Sequence, residues 1–146
     1  MQLIVEKKSK KTKDFKNFKM DNEVYQLRKK VINIIYEVKN LGLNIPRVDV
    51  RIGEHKKCNV LGLARLKDNI IWITKSAIDK GEEHLRHIVL HELLHTIYGC
   101  EHDSKCTLMN AYVPKILKSK KDLLSIFTKY YNKYNKIKQL EVAWEK

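Results

Sequence analysis

The sequence predicts an α+β sandwich in which helices cover a small mixed sheet. Strand patterns are concentrated between residues 48 and 74, and amphipathic helical patterns lie on both sides of them. The 146 residues are 43% hydrophobic, which is enough for one core. We therefore expect a single domain over residues 21–146, preceded by a basic N-terminal segment over residues 1–20.

The predicted strands follow one another closely. Residues 48–52 alternate apolar and polar side chains, which is the period of a strand with one buried face. Residues 60–66 and 70–74 are rich in apolar residues and flank a short polar turn, which predicts a hairpin. The intervening residues 53–58 and 76–81 are predicted to be connections.

Three longer segments have the three- and four-residue apolar spacing of amphipathic helices. The first covers residues 21–41 and backs the sheet. The second covers residues 82–98 and ends at Gly99, because glycine adopts the left-handed C-terminal conformation at little cost. The third begins near Ser119, and residues 100–118 before it are predicted to be irregular.

Composition limits the compartment and the partners. The formal net charge is +13, with seven lysines against two acids in residues 1–20 and nine against three in residues 111–146. Basic ends can bind nucleic acid, but a solvated Lys-rich surface is the simpler interpretation. No apolar run reaches the roughly 18 residues of a membrane span and no secretion signal is visible, so we expect a cytoplasmic protein without a membrane partner. Its oligomeric state is open.

The segment that carries chemistry is His91-Glu92-Leu93-Leu94-His95, an H-E-x-x-H motif inside a predicted helix. Residues four apart lie on one helix face, so the two imidazoles can reach one Zn²⁺ ion. Glu92 projects beside the metal and can act as a general base on a metal-activated water. Apolar neighbours would bury this helix and hold the ligands rigidly.

A catalytic zinc site needs a third protein ligand. His102 is our first candidate, because Gly99 at the helix end lets the chain turn back toward the metal. Glu101 is the main alternative, and Asp103 and Cys106 are further options.

Other histidines and cysteines allow different interpretations. His87 and His91 form a competing pair with four-residue spacing, but Ile88 occupies the position where the motif needs Glu. His84 is expected to border the cleft. Three cysteines are an odd number, which argues against a secreted disulfide framework. Cys100 and Cys106 could be free thiols, a disulfide, or part of a second metal site with Cys58.

The segment His91 to His102 resembles the zinc signature of the metzincins, H-E-x-x-H-x-x-G-x-x-H, and the chain resembles a compact, archaemetzincin- or matrixin-like member. One extra residue lies between His95 and Gly99, and strict counting from His91 would place Glu101 at the third-ligand position. Met109 resembles the Met-turn methionine beneath the metal, and residues 60–66 resemble the family's edge strand.

This resemblance implies a zinc-dependent metallopeptidase that hydrolyses peptide bonds with one catalytic Zn²⁺. An extended peptide or protein substrate would add to an edge strand at Gly62, Leu63 and Ala64. Separately from the resemblance, the hydroxyl of Tyr112 could support an oxyanion, although a packed loop tyrosine is the simpler interpretation. Residues 1–20 lie outside the resemblance and could hold the enzyme latent, with Asp14 or Asp21 near the metal.

Two alternatives remain from the sequence. Gly99-Cys-Glu-His102 is similar to the end of a three-histidine signature in a bacterial rRNA-processing endoribonuclease family, although that family has Gly where this chain has Glu92. The basic charge suits RNA, but it is not interleaved with aromatic residues in a stacking pattern. The second alternative is a non-catalytic, zinc-stabilised binding protein, which a fourth protein ligand would favour.

Overall fold

The fold consists of five strands and four helices in the part of the chain that the structure describes. The structure is a computed structural model, and it describes residues 4–6, 14–66 and 68–144, with side chains for residues 14–66 and 68–135. The strands are β1 (Ile4–Glu6), β2 (Phe15–Asn17), β3 (Asp49–His55), β4 (Val60–Arg65) and β5 (Ile70–Thr74). The helices are α1 (Asn22–Lys39), α2 (Lys75–Asp79), α3 (Glu82–Tyr98) and α4 (Lys120–Trp144).

The strands form one mixed sheet in the order β1-β4-β5-β3-β2. β4 and β5 pair antiparallel as the predicted hairpin, and β3 pairs parallel with β5. One face of the sheet packs on the helices in the main core. The other face has a smaller cluster around Trp72, over which the guanidinium groups of Arg51 and Arg65 lie. The predicted α+β class is therefore confirmed.

The helix termini follow from local capping. The Asp21 carboxylate accepts a hydrogen bond from the backbone N–H of Val24 at 2.9 Å and is the N-cap of α1. The Thr74 hydroxyl accepts the N–H of Ala77 and begins α2, where the sequence predicted only a connection. The Ser119 hydroxyl accepts the N–H of Asp122 at the start of α4, as predicted.

Helix α3 is the centre of the molecule. All twelve residues from Leu85 to Thr96 are buried, which is the pattern of a helix covered on every side. It packs on β4 and β5 and against α1, α2 and α4. The Thr96 hydroxyl donates to the Arg65 carbonyl and accepts the N–H of Ile70, so it ties α3 to both strands of the hairpin. This burial and anchoring hold the side chains of α3 in fixed positions.

The sequence did not predict β1 as a partner of β4, and its assignment of Gly62, Leu63 and Ala64 to an edge strand is wrong. β1 pairs parallel with β4, with Val5 opposite Gly62 and Glu6 opposite Leu63, so β4 lies between β1 and β5. A three-residue strand has too little periodicity to be recognised locally.

The second N-terminal strand corrects another prediction. β2 pairs antiparallel with β3, which extends β3 to His55 where a loop was expected. Gly53 permits this pairing, because a Cβ at this position would lie 2.0 Å from the carbonyl oxygen of Lys16. The N–H of Lys56 donates to the carbonyl of Asp14. Two parts of residues 1–20, β1 and β2, therefore belong to the sheet, while the basic stretch at residues 7–13 lies outside the described residues.

None of the helices in the described ranges combines the length and the apolar composition needed to cross a bilayer.

A buried ion-pair network joins α1 to α3. The Arg86 guanidinium donates to both carboxylate oxygens of Glu37, at 2.9 and 2.8 Å, and to Glu82 at 2.6 Å. The hydrogen bonds from Arg86 hold the pKa of Glu37 below its ordinary value, and Lys120 of α4 lowers that pKa further. Because the folded state stabilises the carboxylate, this contribution to stability is present above the ordinary pKa of Glu37 and is lost as the pH falls through the lowered value.

We predict that Glu37→Gln lowers the free energy of unfolding at pH 7 by about 2 kcal/mol, because it removes charge-assisted hydrogen bonds to a buried guanidinium. Urea unfolding of both proteins between pH 3 and pH 7 measures this difference, which should shrink below pH 4.5 as the wild-type carboxylate protonates. Glu23→Gln is the matched control on α1, because its ion pair with Lys75 is exposed and should contribute under about 0.5 kcal/mol. Equal stability of the wild type and Glu37→Gln at pH 7 would contradict the prediction.

Candidate metal centre

Three imidazoles converge at the C-terminal end of α3. The Nε2 atom of His91 lies 2.9 Å from the Nε2 of His95 and 3.3 Å from the Nε2 of His102. His91 and His95 are fully buried, and His102 is half-buried. Among the described residues, these three form the one group that could hold a metal ion. The structure therefore brings together the ligand set that the sequence ranked first.

Helix geometry and one glycine bring the ligands together. His91 and His95 are one turn apart on the same face of α3. The helix ends at Gly99, whose φ of 67° is left-handed, and the N–H of Gly99 donates to the carbonyl of His95. The chain then reverses and returns His102 to the first two imidazoles. The chain has one more residue between His95 and Gly99 than the metzincin signature has. This residue is part of α3, because the helix continues to Tyr98 before the turn.

Backbone carbonyls fix the tautomers of both helical ligands. The Nδ1–H of His91 donates to the carbonyl of Leu108 at 2.7 Å, and the Nδ1–H of His95 donates to the carbonyl of Cys100 at 2.5 Å. A carbonyl oxygen can only accept, so each Nδ1 carries the proton and each neutral ring presents a lone pair at Nε2. This second layer of hydrogen bonds is the usual support of a metal-binding histidine.

The spacing and orientation of the imidazole nitrogens suit a cation between them. Two neutral Nε2 atoms at 2.9 Å cannot hydrogen-bond to each other, since neither carries a proton. Protonation is opposed by burial, which holds the pKa of His91 well below its ordinary value, and by the neighbouring His95. A metal cation satisfies all three nitrogens. Ligands at about 2.0–2.1 Å in a tetrahedral zinc site lie about 3.3 Å from each other, so the observed spacing fits.

Glu92 lies between α3 and the sheet. Its side chain is fully buried and faces Gly62 of β4. A Cβ at Gly62 would lie 2.9 Å from Glu92 Oε2 and 3.3 Å from Glu92 Cγ. A side chain at residue 62 would therefore displace the carboxylate, and glycine leaves the space it occupies. Gly62 thus contacts the predicted general base instead of forming an exposed edge.

The loop from His102 to Met109 is held by its own hydrogen bonds. The N–H of Asp103 donates to the carbonyl of Met109, and the N–H of Cys106 donates to the carbonyl of Asp103. Met109 is fully buried and follows Leu108, the residue whose carbonyl orients His91. This position is compatible with the Met-turn assignment, which remains a prediction.

The other predicted site residues lie elsewhere. Glu101 is exposed and does not belong to the metal-ligand group of the described residues. Tyr112 is 45% exposed, and its role toward an oxyanion remains a prediction. His87 is buried, and burial together with the nearby His84 lowers its pKa to about 4. The Nε2 atom of His91 contacts the Nε2 atom of His95. The structure therefore brings together the pair His91–His95 and not the competing pair His87–His91.

The three cysteines are not joined in disulfides, and two of them contact tyrosines of α4. The buried Cys100 thiol forms a hydrogen bond with the Tyr134 hydroxyl, and burial raises the pKa of this thiol. Cys106 forms a hydrogen bond with the Tyr130 hydroxyl. Within the described residues, no cysteine joins a group of potential metal ligands.

Sequence reasoning missed the carbonyls of Leu108 and Cys100 as partners of the imidazoles. A backbone carbonyl exists at every position, so no residue type could have revealed them.

Comparison with known proteins finds no matching family model, no matching curated protein and no matching solved structure.

We predict that the purified protein binds one zinc ion per chain and that His102→Ala weakens its zinc affinity by more than about 100-fold, because a ligand is lost. Glu101→Ala is the matched control and should change the affinity by less than about threefold. Competition titration with a chromogenic chelator measures both values. A larger effect of Glu101→Ala than of His102→Ala would contradict the assigned ligand set.

Proposed function

We propose that this chain is a zinc-dependent metallopeptidase. The observation that best supports this is that three convergent imidazoles occur together with a buried carboxylate, that of Glu92, the residue after His91. The ligand group has three members among the described residues, which leaves one coordination position of a tetrahedral ion for a water or a substrate. This open position favours catalysis over a purely structural zinc site.

Zinc, when bound, would polarise a peptide carbonyl and make a coordinated water more acidic. His91, His95 and His102 would hold it, and the carbonyls of Leu108 and Cys100 keep the two helical imidazoles in the ligating tautomer. Glu92 would accept a proton at its carboxylate and pass it to the leaving nitrogen.

The matched test changes only the charge of the general base. Glu92→Gln should keep zinc affinity within about threefold, because residue 92 is not a ligand, and should lower kcat/KM for peptide cleavage by at least about 100-fold. A broad set of fluorogenic peptides, with zinc content measured on the same samples, gives both quantities. Full peptidase activity of Glu92→Gln would contradict the mechanism.

The same assay distinguishes the peptidase proposal from the endoribonuclease alternative. If the zinc-loaded wild type cleaves a structured RNA but no peptide, and Glu92→Gln cleaves that RNA equally well, the peptidase proposal fails. We favour the peptidase because Glu92 supplies a carboxylate next to the metal-ligand group at the position where the similar ribonuclease signature has Gly.

β1 gives the latency hypothesis a physical basis. An extended substrate that adds a strand beside β4 would need the side of β4 that β1 occupies at Gly62 and Leu63. Because Gly62 also contacts Glu92, this side of β4 is next to the proposed catalytic base. Latency would then arise from competition between β1 and the substrate for the same strand.

Deletion of residues 1–6 should raise kcat/KM for extended peptides about tenfold. This is the effect expected if β1 is paired with β4 in about nine-tenths of the molecules and excludes the substrate from them. A dipeptide substrate, too short to pair along β4, serves as the internal control and should show no gain. The thermal midpoint of the truncated protein reports whether its fold is intact. Equal activity of both proteins toward extended peptides would remove the latency role.

A further inference from the structure

A cavity of about 540 Å³ is lined by residues that neighbour the proposed metal ligands along the chain. One wall is His84 of α3, and the others come from residues 104–107, 110 and 112–115, which lie on either side of Leu108 and Met109 in the sequence. The side chain of Asn110 joins these stretches, because its amide nitrogen donates to the carbonyl of Ser104 and its oxygen accepts the N–H of Tyr112. The cavity therefore has walls held together by hydrogen bonds.

The cavity and the metal ligands share one face of α3. His84 precedes His91 by seven residues, which is two helical turns and about 10.5 Å along the axis. Residues 104–107 begin just after His102 and lead to Leu108, whose carbonyl binds His91. An extended peptide advances about 3.4 Å per residue, so the cavity lies within about three residues of a bond at the metal.

The charged groups that line this cavity are basic. Lys105 and Lys115 are exposed residues of the lining, and among the described residues neither lysine has an ion-pair partner. No acidic residue is among the described residues that line it. The nearby Asp103 carboxylate already accepts the backbone N–H of Lys105. Two ammonium groups without a compensating carboxylate favour an anionic occupant.

The remaining lining suits a single side chain. Val113 and Pro114 are half-buried and provide apolar contact, while Ser104 and Thr107 provide hydroxyl groups. A single-stranded RNA track would instead need several aromatic platforms, and Tyr112 is the one Phe, Tyr or Trp residue among the described residues that line the cavity.

We propose that this cavity binds the carboxylate side chain of a peptide substrate, so that the enzyme selects Glu or Asp within three residues of the cleaved bond. This inference rests on the proposed peptidase function. Lys105 and Lys115 would determine the specificity by pairing with the carboxylate, and the apolar wall would contact the methylene groups of the side chain.

The test compares peptides that differ only by Glu or Gln at each of the three positions on either side of the cleaved bond. For the wild type, kcat/KM should be about tenfold higher for the Glu peptide at one position, because the carboxylate forms exposed ion pairs with two lysines. The double variant Lys105→Glu/Lys115→Glu should bring this ratio to one or below. Lys118→Glu/Lys121→Glu is the matched control with the same net charge, and it should keep the wild-type ratio.

The outcomes separate this inference from the function on which it rests. Zinc-dependent cleavage with equal rates for Glu and Gln peptides, or an equal loss of preference in both double variants, overturns the inference and leaves the peptidase intact. Absence of cleavage by the zinc-loaded wild type overturns both. Binding of a ribo-oligonucleotide that is lost only in Lys105→Glu/Lys115→Glu, together with cleavage of that oligonucleotide, would assign the cavity to RNA and also overturn the inference.

Discussion

The arrangement of the site depends on one contact, in which the Nε2 atoms of the buried His91 and His95 face each other at 2.9 Å. The carbonyls of Leu108 and Cys100 hold the protons on the opposite ring nitrogens, so two neutral rings cannot hydrogen-bond to each other here. Burial opposes protonation of His91. The contact therefore suits a cation that joins the nitrogens, and the fold brings together three imidazoles that could hold a metal ion.

The rest of the fold holds this contact in place. α3 is covered on all sides, so neither His91 nor His95 can turn toward water. Gly99 directs the chain back, and the hydrogen bond between Asp103 and Met109 closes the loop that carries His102. Such rigid support is what a preorganised site requires, because loosely held ligands would separate in the absence of the ion. The same loop forms a wall of the lysine-lined cavity, so one segment carries both His102 and part of the proposed substrate-selecting surface.

Local signals were sufficient for α3, for the hairpin and for the histidine pair, because periodicity, capping and four-residue spacing are properties of neighbouring residues. The proximity of His102 to the histidine pair was predicted from Gly99, whose left-handed turn reverses the chain as expected. Non-local features were not accessible: β1 and β2 are three-residue strands that exist only through pairing with β4 and β3. For the same reason, residues 62–64 were assigned to an edge, although β1 covers them. The contact between Gly62 and Glu92 also depends on how a strand packs on a helix, which no sequence spacing encodes.

The most direct test of the central claim is a crystal structure of the zinc-loaded protein, with anomalous diffraction recorded on both sides of the zinc absorption edge. We predict one strong anomalous peak per chain, located about 2.0–2.1 Å from Nε2 of His91, His95 and His102. A peak at the cysteine thiols, or no peak among the three imidazoles at saturating zinc, would contradict it.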